Sequence, residues 1–152
     1  MKKTITLIFM SLFIISLTAQ EFKTKETGIY KKLCFNLYST ECFSSDGTSL
    51  YHHITLNALN DKYTHINDLI NLCVFNPNEM MFFLDYIVNF TETGEEKTSQ
   101  SYKKMSLYID TKRRGCMITT DNGYYIFKKK DLIGMQLACK EFIETISKSK
   151  LD

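Results

Sequence analysis

CMITTDNGYYIFK, residues 116–128, decides how the last third of this chain folds. Asn122-Gly123 supplies the positive backbone angles of a tight hairpin, and the runs on either side are rich in β-branched and aromatic residues. A two-residue Asn122-Gly123 turn predicts Thr120 opposite Tyr125 and Ile118 opposite Phe127, with their side chains stacked across the pair. Upstream, Met105, Leu107 and Ile109 alternate with Lys104, Ser106 and Tyr108, which predicts a strand over Tyr102 to Asp110. Residues Thr111 to Gly115 then turn the chain, so the segment reads as a three-stranded meander. Downstream, Asp131 is placed to cap a helix whose Leu132, Met135, Cys139, Phe142 and Ile146 share one stripe.

Further out, Thr91 to Ser101 is polar, with Gly94, Glu92, Glu95 and Glu96, and reads as an exposed loop. Pro77 to Phe90 predicts a helix that is apolar on more than one side and therefore covered. Tyr63, Ile66, Leu69, Ile70 and Cys73 recur at steps of three and four, which predicts another helix over Asp61 to Cys73. The first half carries two strand patterns. Leu33, Phe35 and Leu37 form one apolar face, and Leu50, His52, Ile54, Leu56 and Ala58 form the other, with the turn-forming Ser44 to Ser49 between them. The expected fold class is α+β: an antiparallel sheet of two N-terminal strands plus a C-terminal three-stranded meander, packed against two central helices and a C-terminal helix.

The first residues, MKKTITLIFMSLFIISLTAQ, set the compartment. Lys2 and Lys3 precede a short apolar run from Ile5 to Leu17, and Leu17-Thr18-Ala19 offers a cleavage site before Gln20, the pattern of a secretory signal. The run is too short and too interrupted for the roughly 20 apolar residues of a membrane span. Residues 1–19 are therefore expected to be a cleaved signal, 20–28 a flexible start with order beginning near Ile29, and 29–152 a single domain. The leader looks bacterial, which points to the periplasm or the exterior.

Two of the 19 basic residues leave with that signal, so the remaining 17 balance the 17 acids. A nucleic-acid binder needs a basic excess to release counterions from phosphates, so no nucleic-acid partner is expected. The five cysteines, Cys34, Cys42, Cys73, Cys116 and Cys139, would meet an oxidising compartment. They read as one or two disulfides plus buried thiols, since there is no C-x-x-C spacing for a redox site.

Signatures of chemistry are sparse. There is no glycine-rich dinucleotide or triphosphate loop, no G-x-S-x-G elbow and no H-E-x-x-H, so no cofactor is expected. Adjacent His52 and His53 would point to opposite faces of a strand and could not share a metal, and adding His65 produces no ligand spacing, so no metal is expected either. Cys42 with His53 is the weak candidate for a nucleophile and base. Carboxylates Glu92, Glu95 and Glu96 read as a solvated face rather than a glycosidase pair. Arg113, Arg114, Tyr124 and Tyr125, near Lys128-Lys129-Lys130, form a candidate cationic and aromatic contact patch, against the plainer role of lysines in protecting strand edges. Together these features predict an exported, non-enzymatic binding or interaction module. A small exported hydrolase using Cys or His, and an inhibitor or immunity-type protein, are the alternatives. Ligand, partner and oligomeric state are not written in the sequence.

Overall fold

A computed structural model describes residues 23–62, 69–93, 99–110 and 115–149. Eight strands make two four-stranded antiparallel sheets. The first sheet has the order β1 (Lys23–Lys32), β2 (Phe35–Phe43), β3 (Ser49–Leu59) and β4 (Leu69–Phe75). The second has the order β5 (Ser99–Tyr102), β6 (Met105–Asp110), β7 (Gly115–Thr120) and β8 (Gly123–Lys128). Helix α1 (Pro77–Thr93) links the sheets, and α2 (Lys129–Lys148) follows β8. The helices lie against each other. Helix α1 touches β3, β4, β6 and β7, while α2 touches β1 and β8, so the pair spans the join between the sheets.

This architecture corrects the expected sheet of two strands plus a three-stranded meander against two central helices. There are four strands on each side and one central helix. Residues Lys23 to Thr27, expected to fray, lie in β1, because each finds a partner on β2 between Phe43 and Ser39. Leu33 does not sit on an apolar strand face. It occupies the turn between β1 and β2, 96% exposed, while Phe35 and Leu37 are buried beyond it.

The helix expected over Asp61 to Cys73 is replaced, in its described part, by the turn at Asp61–Lys62 and by β4; residues 63–68 lie outside the described residues. A short apolar run satisfies either period, and here the free edge of β3 decides. Leu56 pairs with Cys73 and Asn57 with Asn71, so Leu72 is the extra residue of a bulge. The bulge lets Leu72, Cys73 and Phe75 all be buried, a spacing that imitates a helical stripe in the sequence.

The expected loop over Thr91 to Ser101 is also divided. Its start belongs to α1, residues 94–98 lie outside the described residues, and Ser99–Tyr102 is β5. The strand expected over Tyr102 to Asp110 is interrupted after Tyr102 by a turn in which Lys103 has φ of 53°.

The C-terminal hairpin forms two residues out of the expected register. Thr120 faces Gly123, Ile118 faces Tyr125 and Cys116 faces Phe127. The turn residues are Asp121 and Asn122, and Gly123 opens β8 at φ of 141°. A Cβ there would lie 2.4 Å from the side-chain amide of Asn60, whose Nδ2 donates to the Asn122 carbonyl at 3.1 Å. The glycine is thus required by Asn60, the residue that follows β3, as well as by its own backbone angle. Because the shift is by two residues, inward faces stay inward, and Cys116, Ile118 and Phe127 remain fully buried.

The same turn after β3 laces the sheets together. The Asp61 amide donates to the Tyr124 carbonyl at 2.9 Å, the Ile126 amide to Asp61 Oδ2 at 3.2 Å, and Asn122 Nδ2 to the Asn71 carbonyl at 3.3 Å. Phe35 of the first sheet meets Phe127 of the second edge-on at 5.2 Å, so both sheets share one apolar core with the helices.

Helix α1 has a capping box. Asn76 Oδ1 accepts from the Glu79 amide at 2.9 Å, Glu79 Oε2 faces the Asn76 amide at 3.5 Å, and Pro77 occupies the first helical position. Lys103 Nζ donates to Glu79 Oε1 at 3.1 Å and holds that carboxyl below its usual range. We expect Asn76→Ala to cost about 1 kcal/mol in urea unfolding, the usual value of such a cap. A change under about 0.3 kcal/mol would show that the helix start is held by packing alone.

Candidate functional site

Residue by residue, the structure separates the sequence candidates. Cys42 on β2 and His53 on β3 lie on the outer face of the first sheet, but Tyr51 is the residue directly opposite Cys42, and His53 faces Thr40. The Tyr51 ring packs edge-on against His53 at 4.7 Å between centroids, and interaction with the Cys42 thiol raises the Tyr51 phenol above its ordinary pKa. The partner of Cys42 is therefore a phenol rather than an imidazole base. His52 points to the opposite face, as a strand requires. His65, Arg113 and Arg114 lie outside the described residues.

All five cysteines are free, which corrects the expected disulfides. Cys42, Cys73, Cys116 and Cys139 are buried, and Cys34 alone is half-buried. Burial pushes Cys73, Cys116 and Cys139 up to about 12. Such thiols hold only roughly one part in 10,000 as thiolate at pH 8. Among the described residues no cluster of His, Cys, Asp and Glu has the grouping of a metal site.

Sequence reasoning missed one constellation. Ser39 Oγ lies 3.4 Å from His52 Nδ1, and His52 Nε2 lies 3.6 Å from Glu41 Oε1, the three residue types of a serine hydrolase relay but with the two ring nitrogens exchanged. Strand alternation places Ser39 and Glu41 on one face of β2, and pairing across the Ser44 to Thr48 loop sets Glu41 opposite His52. The chemistry of a relay needs a serine that substrate can reach. Ser39 is 1% exposed and faces the shared core, and Phe142 of α2 lies edge-on against the His52 ring. The three residues form a polar row in which Ser39 is buried and His52 and Glu41 are half-buried.

A different site is assembled where the β1–β2 turn, the end of β8 and the first turn of α2 converge. A cleft of about 270 Å³ is lined by Lys32, Leu33, Cys34, Phe35, Tyr125 and Ile126, with Lys128, Lys130 and Asp131. Asp131 does not cap α2, which begins at Lys129 with no side-chain cap; it is buried and accepts a charge-assisted hydrogen bond from Lys32 Nζ. That bond raises the Lys32 ammonium above its ordinary pKa. Lys129 is turned away to Glu92 of α1 at 3.0 Å. Lys128 and Lys130 are exposed and form no ion pair among the described residues.

Tyr125 forms part of the floor, against Phe35 and Phe127. Burial first, then the Cys34 thiol and the Asp61 carboxylate, push its phenol up to about 12. The hydroxyl therefore stays protonated across the physiological range and remains a donor. Of the contact patch expected from sequence, Tyr125 enters this cleft, and the neighbouring Lys128 and Lys130 form its rim; Tyr124 instead gives its carbonyl to Asp61. Lys32, Leu33 and Cys34 come from the other end of the sequence and could not have been joined to it by periodicity.

A larger groove of about 490 Å³ runs over the outer face of the first sheet, where Glu26 and Lys31 bring opposite charges to the same lining. The α1–α2 surface holds a third, of about 300 Å³, that likewise mixes Asp85 and Glu144 with Lys140. The cleft at Tyr125 differs in its uncompensated positive rim. Comparison of the chain with protein-family models, curated proteins and solved structures finds no match.

Proposed function

We propose that this chain is an exported, non-enzymatic binding module that receives an anionic group in the cleft between Lys32, Tyr125, Lys128 and Lys130. The N-terminal pattern of two lysines, a short apolar run and a small-residue cleavage site supports export. One observation carries the binding reading: the lining holds three lysines and one acid, Asp131, which is already paired with Lys32, while Asp61 beside Tyr125 is engaged by the Ile126 amide. A protonated phenol at the floor adds a hydrogen-bond donor to the two free ammonium groups. The module reading is also favoured over a hydrolase because the Ser39, His52 and Glu41 row is closed to substrate and Cys42 has a phenol opposite it.

Cys34 gives a direct test, since it lies in the cleft and is the least buried thiol. A small thiol reagent at pH 8 is expected to label Cys34 at least a hundredfold faster than Cys73, Cys116 or Cys139, whose raised pKa values keep them as thiols until well into alkali. Titration of the unlabelled protein with inorganic phosphate should shift the amide resonances of Leu33, Tyr125, Lys128 and Lys130 saturably. The Cys34-labelled protein should lose that response. Shifts spread evenly over all surface lysines, or unchanged by the label, would overturn the assignment.

A further inference from the structure

The turn that forms one lip of this cleft has an unusual composition. Leu33 and Cys34 are the two residues between β1 and β2, where small polar residues or glycine are the usual choice. Leu33 is 96% exposed, more than any other large apolar side chain among the described residues. Three cations share the cleft with it: Lys32 precedes it on β1, and Lys128 and Lys130 stand across the cleft, while Lys31 lies on the other strand face in the groove that also holds Glu26. The one acid among them is Asp131, bound to Lys32.

A single exposed leucine is ordinary on a protein surface. An apolar tip on the same cleft as two unpaired lysines is not ordinary, because each part suits a different layer of one partner. A bilayer presents anionic headgroups at its surface and hydrocarbon just beneath, and a protein that touches it by a basic, apolar-tipped patch satisfies both layers at once. A soluble anion would use the lysines and leave Leu33 in water. A protein groove would use Leu33 but would itself need matching acids around it. Opposing charge and the placement of one apolar side chain at the tip favour the bilayer. Among the described residues no helix is long and apolar enough to cross a membrane, so the contact is peripheral.

We infer that the end of the molecule carrying the β1–β2 turn docks on an anionic lipid surface, with Leu33 entering the interface and Lys128 and Lys130 against lipid phosphates. This inference rests on the reading of the lysine-rimmed cleft as the contact site and names its partner. It also gives the uncapped, lysine-rich start of α2 a role: the charges that suit a helix start poorly are those a negative surface needs.

The test is sedimentation of the secreted protein with vesicles of phosphatidylcholine alone and of an equal mixture of phosphatidylcholine and phosphatidylglycerol. The protein should partition into the mixed vesicles and stay in solution with the neutral ones. Leu33→Ser should weaken partitioning roughly tenfold, as expected for withdrawing one leucine from an apolar environment. Lys128→Gln with Lys130→Gln should weaken it roughly twenty-five-fold, about fivefold for each lysine at the surface. All three positions are exposed, so unchanged unfolding curves are expected and would exclude a folding defect. Equal partitioning into both vesicle types, or mixed-vesicle binding indifferent to Leu33→Ser or to the double lysine variant, would overturn the inference. If no vesicle is bound while inorganic phosphate still shifts Tyr125, Lys128 and Lys130, the lipid partner is refuted and the binding cleft stands. Loss of both responses refutes both.

Discussion

Phe127→Ala is expected to destabilise the protein by about 3–5 kcal/mol, the usual cost of removing a fully buried phenylalanine. Phe127 is 0% exposed on β8, and its ring meets Phe35 at 5.2 Å and Tyr125 at 4.7 Å, both close to edge-on. Phe35 belongs to the first sheet and Phe127 to the second, so truncation removes apolar area and also opens the place where the two sheets touch. The hydrogen bonds that lace the join come from the turn after β3 and from Asn71 of β4, so the apolar contact has little local reinforcement at the Phe35 end. A domain of ordinary stability, about 5–15 kcal/mol, would lose a large part of it. Urea unfolding followed by circular dichroism should show a lower midpoint with unchanged slope. Phe82→Ala is the control: Phe82 is 69% exposed on α1, and its loss should change stability by no more than about 0.5 kcal/mol. If Phe127→Ala cost less than about 1 kcal/mol, the shared core would be wrong.

Gly115→Ala should be nearly as damaging, for the opposite reason. A Cβ at Gly115 would lie 1.9 Å from the Phe127 carbonyl oxygen and 2.9 Å from its carbon. Those are backbone atoms of the paired strand, where Gly115 faces Lys128, so no rotamer change relieves the overlap. Either β7 moves away from β8 or the end of the ladder breaks. Overpacking of this kind costs about 1–3 kcal/mol, and a clash with backbone belongs at the upper end. The melting temperature is expected to fall by roughly 10 °C for a chain of this size. Amide exchange should accelerate at Cys116 and Phe127 before it does in the first sheet. Because Lys128 and the Phe127–Tyr125 floor border the cleft, the phosphate response should weaken as well. An unchanged melting temperature would mean that the strand ends part without cost. The sequence alone placed Gly115 in a turn after Thr111, where an alanine would have been harmless.

Local pattern was a good guide wherever local interactions dominate. The helix beginning at Pro77 was legible because Asn76, Pro77 and Glu79 each act within one turn of one another. The inward stripe of α2 was legible because Leu132, Met135 and Cys139 follow the helical period and are fully buried. Opposite orientations for His52 and His53 followed from the strand period. Errors arose where a distant segment chose between two local solutions. Leu69–Phe75 became a strand because β3 offered an edge, and its bulge disguised a period of two. The hairpin register moved by two residues where Asn60, 62 positions before Asn122, packs against Gly123. Lys23 to Thr27 looked frayed because its polar residues have no apolar period, yet backbone pairing with β2 needs none.

The candidate site was legible in part for the same reason. Tyr125 and the lysines after Phe127 stand close together in sequence, and a basic, aromatic patch could be read from them. Lys32 and Asp131 are 99 residues apart, and only the docking of α2 on β1 brings them into contact. By itself, then, the sequence determined the alternation of the strands and the two described helices, because these depend on neighbours within a few residues. The tertiary structure decided the division into two sheets, the unbridged state of the five thiols, the burial of Ser39 and the placing of Leu33 on one cleft with Lys128 and Lys130. Those depend on which edges and faces found one another, and backbone hydrogen bonding and apolar burial are satisfied by distance in space rather than distance along the chain.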